Sequence, residues 1–293
     1  MKRTGRMTDT HVHIWDLDRG EYPWLKGDES ILNRSYGLEE LEDTRIAAGI
    51  TEGVLVQAAN NTGDTDRMLQ AAAAHGWISG VVGWLPLQDP ESTARILETG
   101  YGRNPYFKGV RHLIHNEADP RWLLQDGVVE SLRLLVERDL PYDLVGVAPV
   151  HIRTALELAD RLPGLRMVFD HLNQPPIAVK EKYGEWGELM KEAAGHRNFY
   201  MKISGLGTAS QQSRNWKAED LQPYIWHTLL HFGEDRCFCG GDWPVCLLAG
   251  SYGDTWTAYR EIIGKLLGKE GNEKLFYRNA ERFYSLRAGK FPG

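Results

Sequence analysis

Eight short apolar runs are spaced along the chain, with longer amphipathic runs between them. The short runs are TDTHVHIW (8–15), TEGVLVQA (51–58), SGVVGWLPL (79–87), FKGVRHLIH (107–115), PYDLVGV (141–147), LRMVFDHL (165–172), FYMKISGL (199–206) and RCFCGGDWP (236–244). They are rich in Val, Ile and aromatic residues and often end in Gly, Pro, Asn or Asp, so each predicts a strand. The intervening runs, among them DTDRMLQAAAAHG, GVVESLRLLVERD and PVHIRTALELADRL, predict helices. In DPESTARILE, Asp89 is the expected N-cap and Pro90 the first-turn residue. TWTAYREIIGKLLG and NEKLFYRNAERFYSL close the chain as two further helices.

Eight strands with helices between them predict an α/β fold, a (β/α)8 TIM barrel, with an open doubly wound sheet as the alternative. No Pro-, Gly- or Ser-rich linker divides residues 1–293, which are read as one domain. The segment 16–37 is too long and aromatic for a minimal link after the first strand, and is expected to fold over the barrel mouth. The segment 207–218 is a second expected mouth loop.

Composition narrows the partners. A chain of 293 residues with 42% hydrophobic and 25% charged residues suits one barrel with a sizeable core. The net charge of −6 and the lack of a Lys/Arg run argue against duplex nucleic acid, yet one Arg can still hold a small anion. The basic N-terminus MKRTGRM is followed by no apolar secretion segment, and no run is long enough for a membrane span. Three clustered cysteines, Cys237, Cys239 and Cys246, fit a reducing compartment, so a cytoplasmic protein is expected; an oligomer is left open.

A barrel of this kind does its chemistry at the C-terminal ends of the strands, which sorts the polar residues. His11 and His13 end the first strand, and residues two apart share a face, so both imidazoles can address one point. A His-x-His pair suits a divalent metal but equally suits two hydrogen-bonded histidines. His171 ends the sixth strand before a Pro-rich turn, as a site histidine or a satisfied structural one. Asp242 follows two glycines where the eighth strand should end, a costly place for a carboxylate unless it is paired, ligated or used. A helix cap is its structural alternative, and function is favoured.

Arg111 and His112 are neighbours in the fourth strand, so at most one should face the barrel interior. Arg111 suits a carboxylate or polarised carbonyl, or an ion pair with a nearby acid. Lys202 is expected to pair with Asp242 or to touch substrate, and Tyr142 and Asp143 are weaker candidates on the fifth strand. Cys237-x-Cys239 lacks the usual zinc spacing and is read as packing. Trp24 and Trp243 are core or mouth aromatics, and Trp243 beside Asp242 is a candidate sugar platform. Neither Gly-x-Ser-x-Gly nor a P-loop occurs.

DTHVHIWD, GVVGWLPL, KGVRHLIHNEADPRWL, LPYDL, FDHLNQPP, KISGL and GGDWPVC occur in this order from residue 8 to about residue 285. Together they resemble the amidohydrolase-related lactonases of the amidohydrolase superfamily, the group that includes L-fuconolactonase and L-rhamnonolactonase-like enzymes. The resemblance implies a distorted (β/α)8 barrel that opens a sugar-acid lactone. It implies His11, His13, His171 and Asp242 as the catalytic set, and as the ligands of a single zinc or other divalent ion if one is used. Metal-independent action is the other implied possibility. Arg111, His112, Trp24, Lys202, Tyr142 and Trp243 are the expected substrate contacts. The strand-four Lys or Glu and strand-five His of binuclear relatives have no match here, the nearest residues being Lys108 and Asp143. His115 and Asn116 stand where Gln and Asp are usual, so contacts there differ. The rival readings are a metal-dependent decarboxylase or hydratase of the same superfamily, a hydrolase of carboxylated or sulfonated muconolactones, and a non-catalytic sugar binder.

Overall fold

The computed structural model describes residues 5–179 and 182–286. Eight strands form one parallel sheet in chain order. They are β1 (Thr8–Val12), β2 (Glu52–Val56), β3 (Ile78–Gly83), β4 (Phe107–His112), β5 (Tyr142–Leu144), β6 (Met167–Phe169), β7 (Phe199–Ile203) and β8 (Cys237–Cys239). The helices are α1 (Glu42–Ala47), α2 (Thr62–Ala74), α3 (Pro90–Thr99), α4 (Asp126–Glu137), α5 (Pro149–Arg161) and α6 (Gly184–Ala194). They continue with α7 (Leu206–Ala209), α8 (Ala218–Phe232), α9 (Tyr252–Leu266), α10 (Lys269–Glu273) and α11 (Asn279–Phe283).

The ring closes at the mouth. Val12 bridges Trp243 in parallel, the Asp242 N–H donates to the His11 carbonyl at 2.8 Å, and the His13 N–H donates to the Trp243 carbonyl at 2.7 Å. These bonds make the sheet a barrel and exclude the open doubly wound alternative. Register shifts between β1 and β2, β2 and β3, and β3 and β4 distort it.

Period-two alternation divides each strand between two environments. Val54, Val56, Val82, Val168 and Phe238 form one buried cluster with Ala280, Phe283 and Tyr284. These side chains fill the barrel, and α11 packs against them. The segment expected as one last helix is a π turn (Lys274–Arg278) followed by α11, which buries Leu275 and Phe276 as well as Phe283 and Tyr284. Asp89 caps α3 by accepting the Ser92 N–H, with Pro90 in the first turn as expected. Among the described residues, no helix is long and apolar enough to cross a membrane.

The segment after β1 does fold over the mouth. Trp15 and Tyr36 pair across it, and the Trp24 indole N–H donates to the Ala58 carbonyl at 2.8 Å. The second mouth segment is partly helical, through α7.

Candidate active site

The ends of β1, β4, β6 and β8 deliver the polar residues to one place. His13 Nδ1 lies 2.7 Å from the Val56 carbonyl oxygen. A carbonyl only accepts, so Nδ1 carries a proton. That Nε2 is 3.5 Å from Asp242 Oδ1, and His11 Nε2 is 3.8 Å from the same oxygen. His171 Nδ1 lies 2.9 Å from Ser204 Oγ and 3.9 Å from Asp242 Oδ2. Three rings thus surround one carboxylate, with His11 edge-on to both His13 and His171.

Unusual backbone makes this possible. His171, Leu172, Asn173 and Gln174 are all left-handed, with φ of 54°, 50°, 52° and 55°. The strain is held in place by the Trp186 indole N–H, which donates to the Leu172 carbonyl at 2.7 Å, and by Ser204 Oγ, which accepts the His171 N–H. Gly205 fits between the two halves of the site. A Cβ there would lie 2.7 Å from His171 Nδ1 and 2.8 Å from Asp242 Oδ2. The pair before Asp242 serves close approach as expected, since Gly240 abuts the His11 side chain and Gly241 abuts Asp9.

Beneath the site lies a buried charged layer. Arg111 Nη1 donates to Asp170 Oδ2 at 3.0 Å, and its Nη2 donates to the Gln57 carbonyl. Lys202 Nζ lies 2.6 Å from Asp143 Oδ2 and 2.8 Å from Asp170 Oδ1. The Tyr284 hydroxyl also donates to Asp143. Burial pushes the Asp170 carboxyl up, but Lys202, His11 and Arg111 outweigh it and hold the group well below its usual range. Asp143 has Lys202 as its ammonium partner, and burial pushes it up to about 6. Arg111 Nη1 and Lys202 Nζ each lie 3.2 Å from a nitrogen of His11. Burial, reinforced by Lys202 and His171, keeps His11 well below the usual imidazole range despite Asp170, and burial also lowers His171. Asp9 accepts N–H groups of Gly241 and His11 and the Tyr252 hydroxyl, yet burial raises it to about 6.

A cavity of about 240 Å³ opens above this layer. Of the expected site residues, His13, Arg111, His171, Asp242 and Trp24 line it, and the fully buried His11 adjoins them. Four expected substrate contacts do not line it. His112 points the opposite way from Arg111, stacks on Trp122 at 3.9 Å and bonds Trp84, Asn60 and Glu117. Tyr142 is fully buried on the face of β5 opposite Asp143. Lys202 is fully buried and pairs with Asp143 and Asp170, not with Asp242. Trp243 packs edge-on against Tyr36 at 5.5 Å. The three cysteines are free and buried, and burial raises the Cys237 thiol to about 12, as suits packing.

Asp170 went unrecognised in the sequence. Its signal was the one that marked Asp242, a carboxylate just past the end of an apolar strand. His115, Gln174 and Thr208 also line the cavity.

His11, His171 and Asp242 can each offer a ligand atom within 4.8 Å of the others. Two imidazoles kept neutral beside a carboxylate suit a divalent ion such as zinc. The residues present therefore fit one ion.

Fold and site together define a barrel hydrolase with a His/Asp centre able to bind a divalent metal. The family model described as Amidohydrolase matches residues 8–286, and the chain belongs to that family. It is 32% identical over 282 residues to an L-fucono-1,5-lactonase of Burkholderia ambifaria, covering 95% of each chain. It is 28% identical over 286 residues to an L-fucono-1,5-lactonase of Burkholderia multivorans, again covering 95% of each. The crystal structure of an amidohydrolase from Burkholderia multivorans with bound zinc superposes with a TM-score of 0.89 at 27% identity, covering 97% of this chain and 100% of that one.

Proposed function

We propose that the protein hydrolyses an uncharged sugar-acid lactone. The observation that carries this choice is the commitment of Arg111. Among the described residues it is the one Lys or Arg side chain in the cavity wall, and its terminal nitrogens already serve Asp170, His11 and the Gln57 carbonyl. A carboxylated or sulfonated lactone would bring a second anion beside Asp242 with no free cation to meet it. The two L-fucono-1,5-lactonase relatives support a sugar lactone as substrate.

The chemistry follows from the donors. Asp242 takes a proton from water as the water oxygen attacks the lactone carbonyl carbon. His13 Nε2, 3.5 Å from Asp242 Oδ1, orients that water. The tetrahedral intermediate then collapses with cleavage of the ring C–O bond. Asp242 returns the proton to the leaving alkoxide, giving an open hydroxy acid. A divalent ion held by His11, His171 and Asp242 would supply Lewis-acid polarisation of the carbonyl.

The test is a panel of sugar-acid lactones and carboxylated lactones read by a pH indicator, with and without chelator. Acid release from the sugar lactones, at least about 100-fold above the carboxylated ones, is expected. Carbon dioxide release from an aromatic acid, with no lactone opened, would refute the proposal in favour of a decarboxylase.

A further inference from the structure

Three polar side chains in the cavity wall have unspent hydrogen-bonding capacity, and the mechanism uses none of them. His115 follows β4, Gln174 ends the left-handed turn after β6, and Thr208 lies in α7 after β7. His115 Nδ1 lies 3.2 Å from the Val145 carbonyl oxygen, so Nδ1 bears the proton. Nε2 is left as an acceptor. Burial, with Arg111, His151 and His171 nearby, keeps that ring on the neutral side. Thr208 Oγ1 is a buried atom with no hydrogen-bond partner. The Gln174 amide has no protein partner among the described residues, although its backbone is held in the strained conformation that brings it to the wall.

A strained turn is costly and persists most readily where a ligand uses it. The wall therefore offers one acceptor, one amide and one hydroxyl, all neutral. That set matches the alternating donor and acceptor capacity of ring hydroxyls. It offers nothing to a carboxylate or phosphate that would outcompete water.

We infer that His115, Gln174 and Thr208 are the specificity-determining residues of this site, reading the hydroxyl groups of a neutral polyhydroxylated ring. The inference deepens the lactonase proposal and rests on it for the ring being a lactone. It does not rest on it for the hydroxyls. A site built to bond hydroxyls rejects the analogue that lacks them, because its own polar groups are then left unpaired.

The test uses the ring amides of the lactones, which bind without being opened. A polyhydroxylated six-membered lactam and the unsubstituted lactam are titrated calorimetrically into the wild-type protein and into Thr208→Val, Gln174→Met and His115→Phe. Melting temperatures establish that each variant folds. The wild type should bind the polyhydroxylated lactam at least about 100-fold tighter than the bare one. Each variant should lose about fivefold on the polyhydroxylated lactam and less than about twofold on the bare one. Equal weakening on both ligands would overturn the inference, because the residues would then only support the cavity's shape. So would a wild-type protein with no preference, or with no binding of either. Hydroxyl-dependent binding in a protein that opens no lactone would leave the inference standing and remove the hydrolase proposal.

Discussion

Lys202→Met tests whether the buried charged layer is one unit. Lys202 is fully buried, as are Asp143 and Asp170, and its ammonium lies 2.6 Å and 2.8 Å from their carboxylates. With His11 neutral, the layer holds two cations, Arg111 and Lys202, and two anions. Removing Lys202 leaves an excess negative charge with no route to water. Asp170 keeps Arg111, but Asp143 keeps only the Tyr284 hydroxyl. Breaking a buried pair by deleting one partner costs about 3–5 kcal/mol. At about 2–4 °C per kcal/mol for a domain approaching this size, the melting temperature should fall by roughly 6–20 °C.

The second substitution is decisive. Asp143→Asn in the Lys202→Met background returns the layer to balance as Asp170 with Arg111, and the amide still accepts from Tyr284. The double variant should recover most of the loss, so a double-mutant cycle in urea should show coupling of about 2–3 kcal/mol. Additive single effects within about 0.5 kcal/mol would refute the idea that the three groups share one charge balance.

Asp242→Asn should lower turnover on the best lactone by about 10²–10⁴-fold with the melting temperature retained, since only the proton-accepting oxygen is lost; near-normal turnover would remove Asp242 as the base. Asp9 supplies a pH signature. Its folded value of about 6 is raised above the unfolded value, so its contribution to stability is fully present below about 4 and is lost as pH rises through about 6. Urea unfolding should therefore show the wild type losing about 3 kcal/mol relative to Asp9→Asn between pH 4 and 7, and a pH-independent difference would contradict the raised carboxyl. Elemental analysis after zinc loading should give at most one ion per chain, with His171→Ala and Asp242→Ala each reducing retention; unchanged retention in both would place the ion elsewhere.

Much of the fold and part of the site were legible because they follow from period and position. Alternation predicted that only one of Arg111 and His112 would face inward, and Arg111 does. The strand-end rule brought His13, His171 and Asp242 to one cavity. It failed to separate wall from foundation. Lys202 reads as a lone charge in FYMKISGL, and its partners sit on β5 and just past β6. Which carboxylates a strand residue meets across a closed barrel depends on tilt and register, and neither is written in a single strand's pattern. The left-handed run from His171 to Gln174 was equally hidden. HLNQ contains no glycine, and its conformation is imposed by Trp186 and Ser204 from elsewhere in the chain.

These hidden parts bear directly on what the site can recognise. An arginine in a cavity wall ordinarily signals an anionic ligand, because a free guanidinium offers a carboxylate two parallel donors. Here Asp170 accepts from one terminal nitrogen, and the Gln57 carbonyl accepts from the other. Asp170 is in turn steadied by Lys202, whose second contact is Asp143. Both terminal nitrogens of Arg111 are thus engaged by the protein, while its Nε is a buried atom with no hydrogen-bond partner. What remains facing the cavity is the carboxylate of Asp242, the imidazoles of His13 and His171, and the side chains of His115, Gln174 and Thr208. Recognition by such a wall would rest on hydrogen-bond geometry. Ring stereochemistry, and not ionic state, is therefore the property on which this site should discriminate most sharply.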